Sequence, residues 1–463
     1  MAQGHGDRLT SVDAGFLHME EGGAHMHIGA LGIFEGPPPS AAAFRAHIDA
    51  RLPRLPRYRQ RVQEMPFGTG RPVWVEDENF RLEYHVRHTA LPSPGGEDEL
   101  RALVDRVIGQ RLDRCKPLWE LWLVEGLADG RWAIVSKTHH AMVDGVSGVD
   151  LMTVLFDLER EVHDEEPPAW RPAPTPGTVG LLATGAKGLV RNVVEQTGKS
   201  VGLAVRPREA VRTTFGALSA LADAARPMLD AAPKTPLNRK PGPHRHVEFV
   251  TTTLAEHKAA KARTGATVND VVLAAVAGAL GRFLADRGMA VDGLQLRACV
   301  PVSLRGDDKR GALGNEIAIM MAPLPVGVQD PAARLAFVRS AMADLKSSRQ
   351  AEGAKVLTSL ENALPPAVLA RASRLGFSSR LYNVLVTNVP GPQFPIYLLG
   401  RQLEQLVPLA FLAPEHLLAI GIMSYNGFVT YGLIADADGV PDLAVLAKHL
   451  RESLDELAAT ADA

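Results

Sequence analysis

The chain has 463 residues, 46% of them hydrophobic and 22% charged, with a net charge of −2 at pH 7. That balance, with aromatics at only 5%, argues against nucleic acid as a partner: no positive excess displaces phosphate counterions, and few rings are available to stack on bases. The length suits two or three domains or one large two-lobed unit, while two cysteines, Cys115 and Cys299, are too few for a disulfide framework and lack metal-ligand spacing. The N-terminus has no apolar core of signal-peptide length, and VVLAAVAGALGRFL, from Val271, is shorter than the roughly 20 residues that span a bilayer. The expectation is a cytoplasmic protein whose membrane contact is peripheral.

In chain order, AHMHIGALGIFEG suits a strand ending at the breaker PPPS, and Ser40 suits the N-cap of a helix AAAFRAHIDARL. EDELRALVDRVIGQRL, from Glu97, has apolar residues at helical spacing. LWELWLVEG and RWAIVSKTHH are strand-like runs joined by LADG, a hairpin pattern. SGVDLMTVLFDLER returns to helix with Ser147 as its cap. The Pro-rich run EEPPAWRPAPTPGT opens a connector over 166–245, whose later part is loosely helical and carries Lys187, Arg191, Lys199, Arg206, Arg208 and Arg212. The connector is either a surface-packed helical link or a basic face for anionic lipid or a nucleotide phosphate. A second lobe, 246–463, opens with the strand-like HVEFVTTTL. Its long helix TVNDVVLAAVAGALGRFLADRG carries a capping-box start at Thr267 and Asp270 and a stop at Gly288. Strand-like runs LQLRACVPVSL, NEIAIMMAPL, YNVLVTNVP, LLAIGIMSYNG and FVTYGLIAD follow, then an amphipathic helix in PDLAVLAKHLRESLDELAATA. The first lobe covers 1–165, and the fold class is α+β.

SKTHHAMVDGVSGVD concentrates the chemistry. Adjacent histidines at a strand end point to opposite faces if the strand geometry persists, so His139 and His140 are poorly placed to grip one metal ion, and no third ligand stands nearby. One imidazole can instead face a cleft as general base for a hydroxyl or thiol while the other is held inside. Asp144 and Gly145 form a turn signal; Asp144 can cap a helix, pair with an arginine or orient the base. Two histidines ending a strand also suit plain packing.

HHAMVDG resembles the HHxxxDG motif of the CoA-dependent acyltransferase superfamily, which includes chloramphenicol acetyltransferase, carnitine acyltransferases and peptide-synthetase condensation domains. Within it, further stretches resemble the bacterial wax ester synthase/diacylglycerol acyltransferase family. VDAGFLHMEE matches through Asp13, Phe16, Leu17 and Glu20. KPLWE matches through Pro117, Leu118 and Trp119, and TVNDVVLA through Asn269 and Asp270. PVSLR matches through Pro301 and Arg305, and VTNVPGP through Asn388 to Pro392. The matches run in family order over essentially the whole chain. SYNG stands where some superfamily members carry DFGWG, a departure from the distant enzymes.

The resemblance implies two chloramphenicol-acetyltransferase-like lobes with a tunnel between them. It also implies transfer of a long-chain acyl group from acyl-CoA to diacylglycerol, giving triacylglycerol, with no bound cofactor or metal. His140 would be the general base and His139 its support, with Asp144 paired to an arginine, Arg305 being the candidate. Thr387, Asn388 and Asn269 are candidate oxyanion donors, with Asp270 beside them shaping the site. Glu20, Pro117, Leu118, Trp119 and Ser424 are candidate substrate contacts; capping, chain turning and core packing are the plain readings of Asp270, NVPGP and Trp119. A fatty-alcohol acceptor, giving wax esters, and a non-catalytic acyl-CoA or lipid-droplet binding protein are the alternatives. Insoluble acceptors imply work at the inner face of the membrane or at lipid droplets.

Overall fold

A computed structural model describes residues 8–68, 70–142, 154–162, 169–178, 180–181, 231–262, 264–303, 317–347 and 376–459. Asp144, Gly145, Ser147, Arg305 and the six basic connector residues fall outside them.

The first lobe contains, in order, α1 (Ser11–Met19), β1 (His27–Phe34), α2 (Ala41–Arg51), β2 (Gln60–Gln63), β3 (Val73–Glu76), α3 (Leu82–His85), β4 (Val86–Ala90), α4 (Glu97–Gly109), β5 (Trp119–Glu125) and β6 (Trp132–His139). The later part of the chain contains β7 (Arg245–Thr253), α5 (Leu254–Ala262), α6 (Val268–Asp286), β8 (Leu296–Ser303), β9 (Ile317–Leu324), α7 (Pro331–Ser347), β10 (Val384–Pro390), β11 (Tyr397–Leu398), β12 (Arg401–Leu409), β13 (Leu418–Tyr425), β14 (Phe428–Asp436) and α8 (Leu443–Ala459).

Local chemistry sets the helix starts. Ser40 Oγ accepts from Ala43 N, and Thr10 Oγ1 accepts from Asp13 N, each at 3.1 Å. Thr267 and Asp270 form a reciprocal capping box on α6. In α4 the buried Leu100, Leu103, Val104, Val107 and Ile108 recur at helical spacing. α6 is long and apolar enough to cross a membrane by length and composition, yet 78% of its apolar window is buried inside the protein. It is the core helix of the second lobe.

The first sheet runs β11-β12-β1-β6-β5-β4 and the second β7-β14-β13-β10-β8-β9. The second sheet separates two cores by the two-residue period of its strands. Val384, Val386, Ile420, Ile422 and Leu433 pack with α6, α7 and α8. Cys299, Leu385, Ala419 and Ile434 pack with the first lobe. β12 joins the lobes: it pairs antiparallel with β1 in the first sheet, yet Pro408 crosses the inner face of the second at Gly421 and Gly432, which face each other across β13 and β14.

Three expectations change here. The second lobe does not keep all of 246–463, because β11 and β12 complete the first sheet. The helix expected from Ser147 does not run on to Arg160, because Asp157 exchanges backbone hydrogen bonds with Tyr397 at 2.8 and 2.9 Å and carries Arg51 on its carboxylate. Helix α7 and strand β12 have no counterpart among the expected elements.

Candidate active site

β6 stops at His139, and His140 begins a single turn that runs to Met142. Two backbone hydrogen bonds fix the pair: His139 N donates to Leu118 O at 2.9 Å and His140 N to Met26 O at 2.8 Å. The PLW stretch thus works through its backbone. Pro117, Leu118 and Trp119, expected as substrate contacts, are buried in the core. Trp119 stacks on His85 at 4.7 Å and donates its indole N–H to Tyr58 O at 2.8 Å.

The two imidazoles part company, one inward and one outward. His139 is 1% exposed. Its Nδ1 accepts the Ala141 N–H at 3.0 Å, which shapes the turn and assigns the neutral ring's proton to Nε2. Nε2 lies 3.3 Å from Glu20 Oε1. His27, directly opposite on β1, presents its own Nε2 to the same oxygen at 3.3 Å. The other carboxylate oxygen takes Arg114 through Nη2 at 2.7 Å and Nε at 3.0 Å. Arg114 also reaches Leu17 O at the end of α1. Glu20, expected as a substrate contact, is instead a brace between segments, with Oε2 hydrogen-bonded to Arg114, Oε1 3.3 Å from both imidazoles and a 9% exposed side chain. Burial pushes its carboxyl up, but His139 and His27 outweigh that and hold it well below the usual carboxylate range. Burial pushes the His27 imidazole down to about 4.

His140 is half-buried. Its ring stacks on Phe16 of α1 at 4.1 Å, and Phe411, just past β12, meets it edge-on at 5.5 Å. Phe377 completes an aromatic group, 6.3 Å from Phe16 and 6.0 Å from Phe411. Burial lowers the His140 pKa to about 4; its own backbone carbonyl opposes the shift and His139 reinforces it. The ring is accordingly neutral at pH 7 and can accept a proton.

A second polar group lies where β10 meets the start of α6. Asn388 Nδ2 donates to Asn269 Oδ1 at 3.3 Å. Thr387 shares the β10 face of Leu385, toward the first lobe, whereas Asn388 shares the face of Val386, toward α6. Asp270 points into helix capping: its Oδ2 accepts from Thr267 N at 2.7 Å, and the residue is 3% exposed. Ser424, expected as a substrate contact, ties down the NVPGP turn, its carbonyl accepting from Gly391 N at 2.9 Å and its Oγ from Gln393 Nε2 at 3.0 Å. Among the described residues, no hydrogen bond or ring contact joins His140 to Asn269, Asn388 or Ser424, and no three His, Cys, Asp or Glu side chains are grouped to hold a metal ion.

Sequence reasoning passed over His27, Arg114 and Phe411 altogether and gave Phe16 no role. His27 had a signal, the alternation His-Met-His at the start of a strand. Phe411 had none, being one apolar residue in an apolar run.

Comparison with known proteins gives this geometry a lineage. The wax ester synthase/diacylglycerol acyltransferase catalytic domain matches residues 9–272, and the C-terminal domain of the same family matches 313–458. A probable diacylglycerol O-acyltransferase of Mycobacterium tuberculosis, tgs1, is 31% identical over 98% of this chain and 96% of its own length. Another from that species, tgs2, is 34% identical over 97% and 98%. The solved wax ester synthase/diacylglycerol acyltransferase of Marinobacter aquaeolei VT8 is 28% identical, covers 99% of this chain and 100% of its own, and superposes with a TM-score of 0.69. The first condensation domain of the CDA synthetase shares the fold at a TM-score of 0.58 and 19% identity, covering 99% and 97%. With two matching domains that span most of the chain, the protein belongs to the wax ester synthase/diacylglycerol acyltransferase family and is an acyltransferase.

Proposed function

We propose that this enzyme transfers a long-chain acyl group from acyl-CoA to the free hydroxyl of diacylglycerol, with His140 as general base. The observation that carries the reading is the division of labour between the paired histidines. His139 is sealed against Glu20, while His140 sits half-buried beside it in an apolar aromatic surround. The diacylglycerol acceptor is supported by the names of the mycobacterial relatives. A fatty alcohol is the second acceptor, in line with the name of the Marinobacter enzyme.

His140 takes the acceptor proton as the hydroxyl oxygen attacks the thioester carbonyl. The tetrahedral intermediate then collapses, the C–S bond breaks, and the imidazolium returns the proton to the departing CoA thiolate. Thioesters are already activated, so positioning, one base and oxyanion donors suffice. Thr387, on the β10 face turned toward the first lobe, is the favoured donor; Asp144 and Arg305, as a pair, would shape the site from outside the described residues. Because the acceptors are insoluble, the enzyme works as a peripheral protein at a membrane or droplet surface.

Radiolabelled oleoyl-CoA given with dioleoylglycerol, and in parallel with hexadecanol, tests the reading. His140→Ala should reduce turnover by about 10²–10⁴-fold with its circular dichroism unchanged. The neutral ring is the working form, so kcat/KM should hold from pH 8 to about 5 and fall as pH drops through about 4. Acyl-CoA binding by the wild type without ester product would instead make this a non-catalytic binding protein, and faster ester formation on hexadecanol would make it a wax ester synthase.

A further inference from the structure

Two stretches of the chain, 381–400 and 417–435, hold no Asp, Glu, Lys or Arg. They meet at one end of the second sheet, where β10 runs out beside the turn between β13 and β14 and Pro390 stands opposite Ser424. Three apolar side chains project there: Val389 at 48%, Phe394 at 50% and Phe428 at 46% exposure. Exposed apolar residues scattered singly are ordinary, but three on one uncharged tip mark a contact surface.

The tip turns its polar groups on one another. Pro390, Pro392 and Pro395 have no N–H to desolvate. Gly391 N donates to Ser424 O at 2.9 Å, and Asn426 N to Pro392 O at 3.0 Å. The Gln393 side chain is used in the same turn. Its Nε2 donates to Gly391 O and Ser424 Oγ, each at 3.0 Å, and its Oε1 accepts from Gly427 N at 3.1 Å. On the adjoining β7–α5 turn, Leu254 N donates to Gly427 O, while Glu256 is held by Thr253 N and, at 3.7 Å, by Arg451. These bonds take up groups whose desolvation would otherwise oppose entry into lipid. A protein partner would call for a rim of available donors, acceptors and charges; inward-turned polar groups suit lipid instead. The tip is also continuous with the proposed site, since Thr387 precedes Val389 by two residues, about 7 Å along the strand.

We propose that this tip seats the enzyme on a bilayer by apolar insertion alone, Phe394 and Phe428 entering the acyl boundary. The inference rests on the reading of the acceptor as a membrane-dissolved lipid, and it names the surface by which the site reaches it.

Co-sedimentation of the full-length enzyme with phosphatidylcholine vesicles containing dioleoylglycerol tests it. Wild type should bind at low and at high salt alike, because no charge is asked to hold it. Phe394→Ser and Phe428→Ser should each weaken binding about 10-fold. Phe67→Ser, which removes the more exposed ring between β2 and β3, should leave binding unchanged. All variants should keep wild-type turnover of oleoyl-CoA with a short, water-soluble alcohol in the absence of vesicles. Release of the wild type by salt, no binding at all, unchanged binding by both tip variants, or an equal loss with Phe67→Ser overturns the proposal. So does a dimer in solution that the tip variants dissolve, which would give the tip to a second copy of the chain. Failure of the wild type on the soluble alcohol would count against the catalytic reading alone, leaving vesicle binding to judge the tip.

Discussion

At the end of β6 the first lobe buries ionisable side chains, whereas at the end of β10 the second lobe presents neutral ones. Glu20 gathers His27, His139 and Arg114 into a polar brace behind His140. Thr387, Asn388 and Asn269 carry no charge, and Asp270 is turned into a helix cap. A buried carboxylate needs its partners, so the brace is rigid and costly to disturb. Neutral donors leave the base's proton affinity alone while still meeting a developing oxyanion. The proposed base in one lobe and the proposed donors in the other can cooperate only if the lobes keep their register.

That register depends on a seam where two glycines, Gly421 and Gly432, meet the backbone of Pro408. A Cβ at Gly432 would lie 1.9 Å from Pro408 O, and one at Gly421 would lie 3.2 Å from it. Both obstacles are backbone, so no side chain can rotate away. Gly432→Ala should therefore give the largest effect, a loss of about 3 kcal/mol or more, read as a shifted urea midpoint. Turnover should fall with it, because displacing β12 carries Phe411 off the His140 ring. An unchanged midpoint would mean that the lobes are not held there.

Glu20→Gln attacks the charged side alone. Arg114 is 47% exposed, so the loss should be about 2–3 kcal/mol, less than a fully buried pair gives. The sign with pH follows from the depressed carboxyl. Its stabilisation is complete above the ordinary glutamate pKa of 4.5 and is lost as pH falls from there toward the folded value. Wild type and variant should differ most near neutrality and converge in acid, measured by denaturation across pH. A gap that widened in acid would contradict an ionised Glu20.

Much of this contrast is legible in the sequence, for physical reasons. Capping at Ser40 and Thr267 and the hairpin of β5 and β6 are local, so short-range patterns reveal them. The long helix α6 and the strand ending at His139 are legible in the same way. β12 is not, because RQLEQLVPL draws its partner from β1, hundreds of residues away, and local pattern holds no record of it. The letters single out Glu20 but suggest the wrong role, because its partners His27, His139 and Arg114 come from three separate segments. Trp119 shows the reverse case, where the plain reading of a core residue is the one the structure gives.

The neutral side is expected to yield the smallest effect, and a divided one. Asn388 donates to Asn269 on the α6 face of β10. Asn388→Ala removes one partly buried neutral hydrogen bond, worth about 1 kcal/mol, and should leave kcat within a few-fold of wild type. Thr387 faces the first lobe with Leu385, so Thr387→Val, close in shape, should cost little stability yet lower kcat without raising KM for acyl-CoA. The two neighbours thereby separate packing from chemistry on a single strand. The reverse pattern, turnover lost with Asn388 and stability with Thr387, would move the oxyanion donor to the helix side of the sheet and end the assignment of the β10 inner face to the reaction.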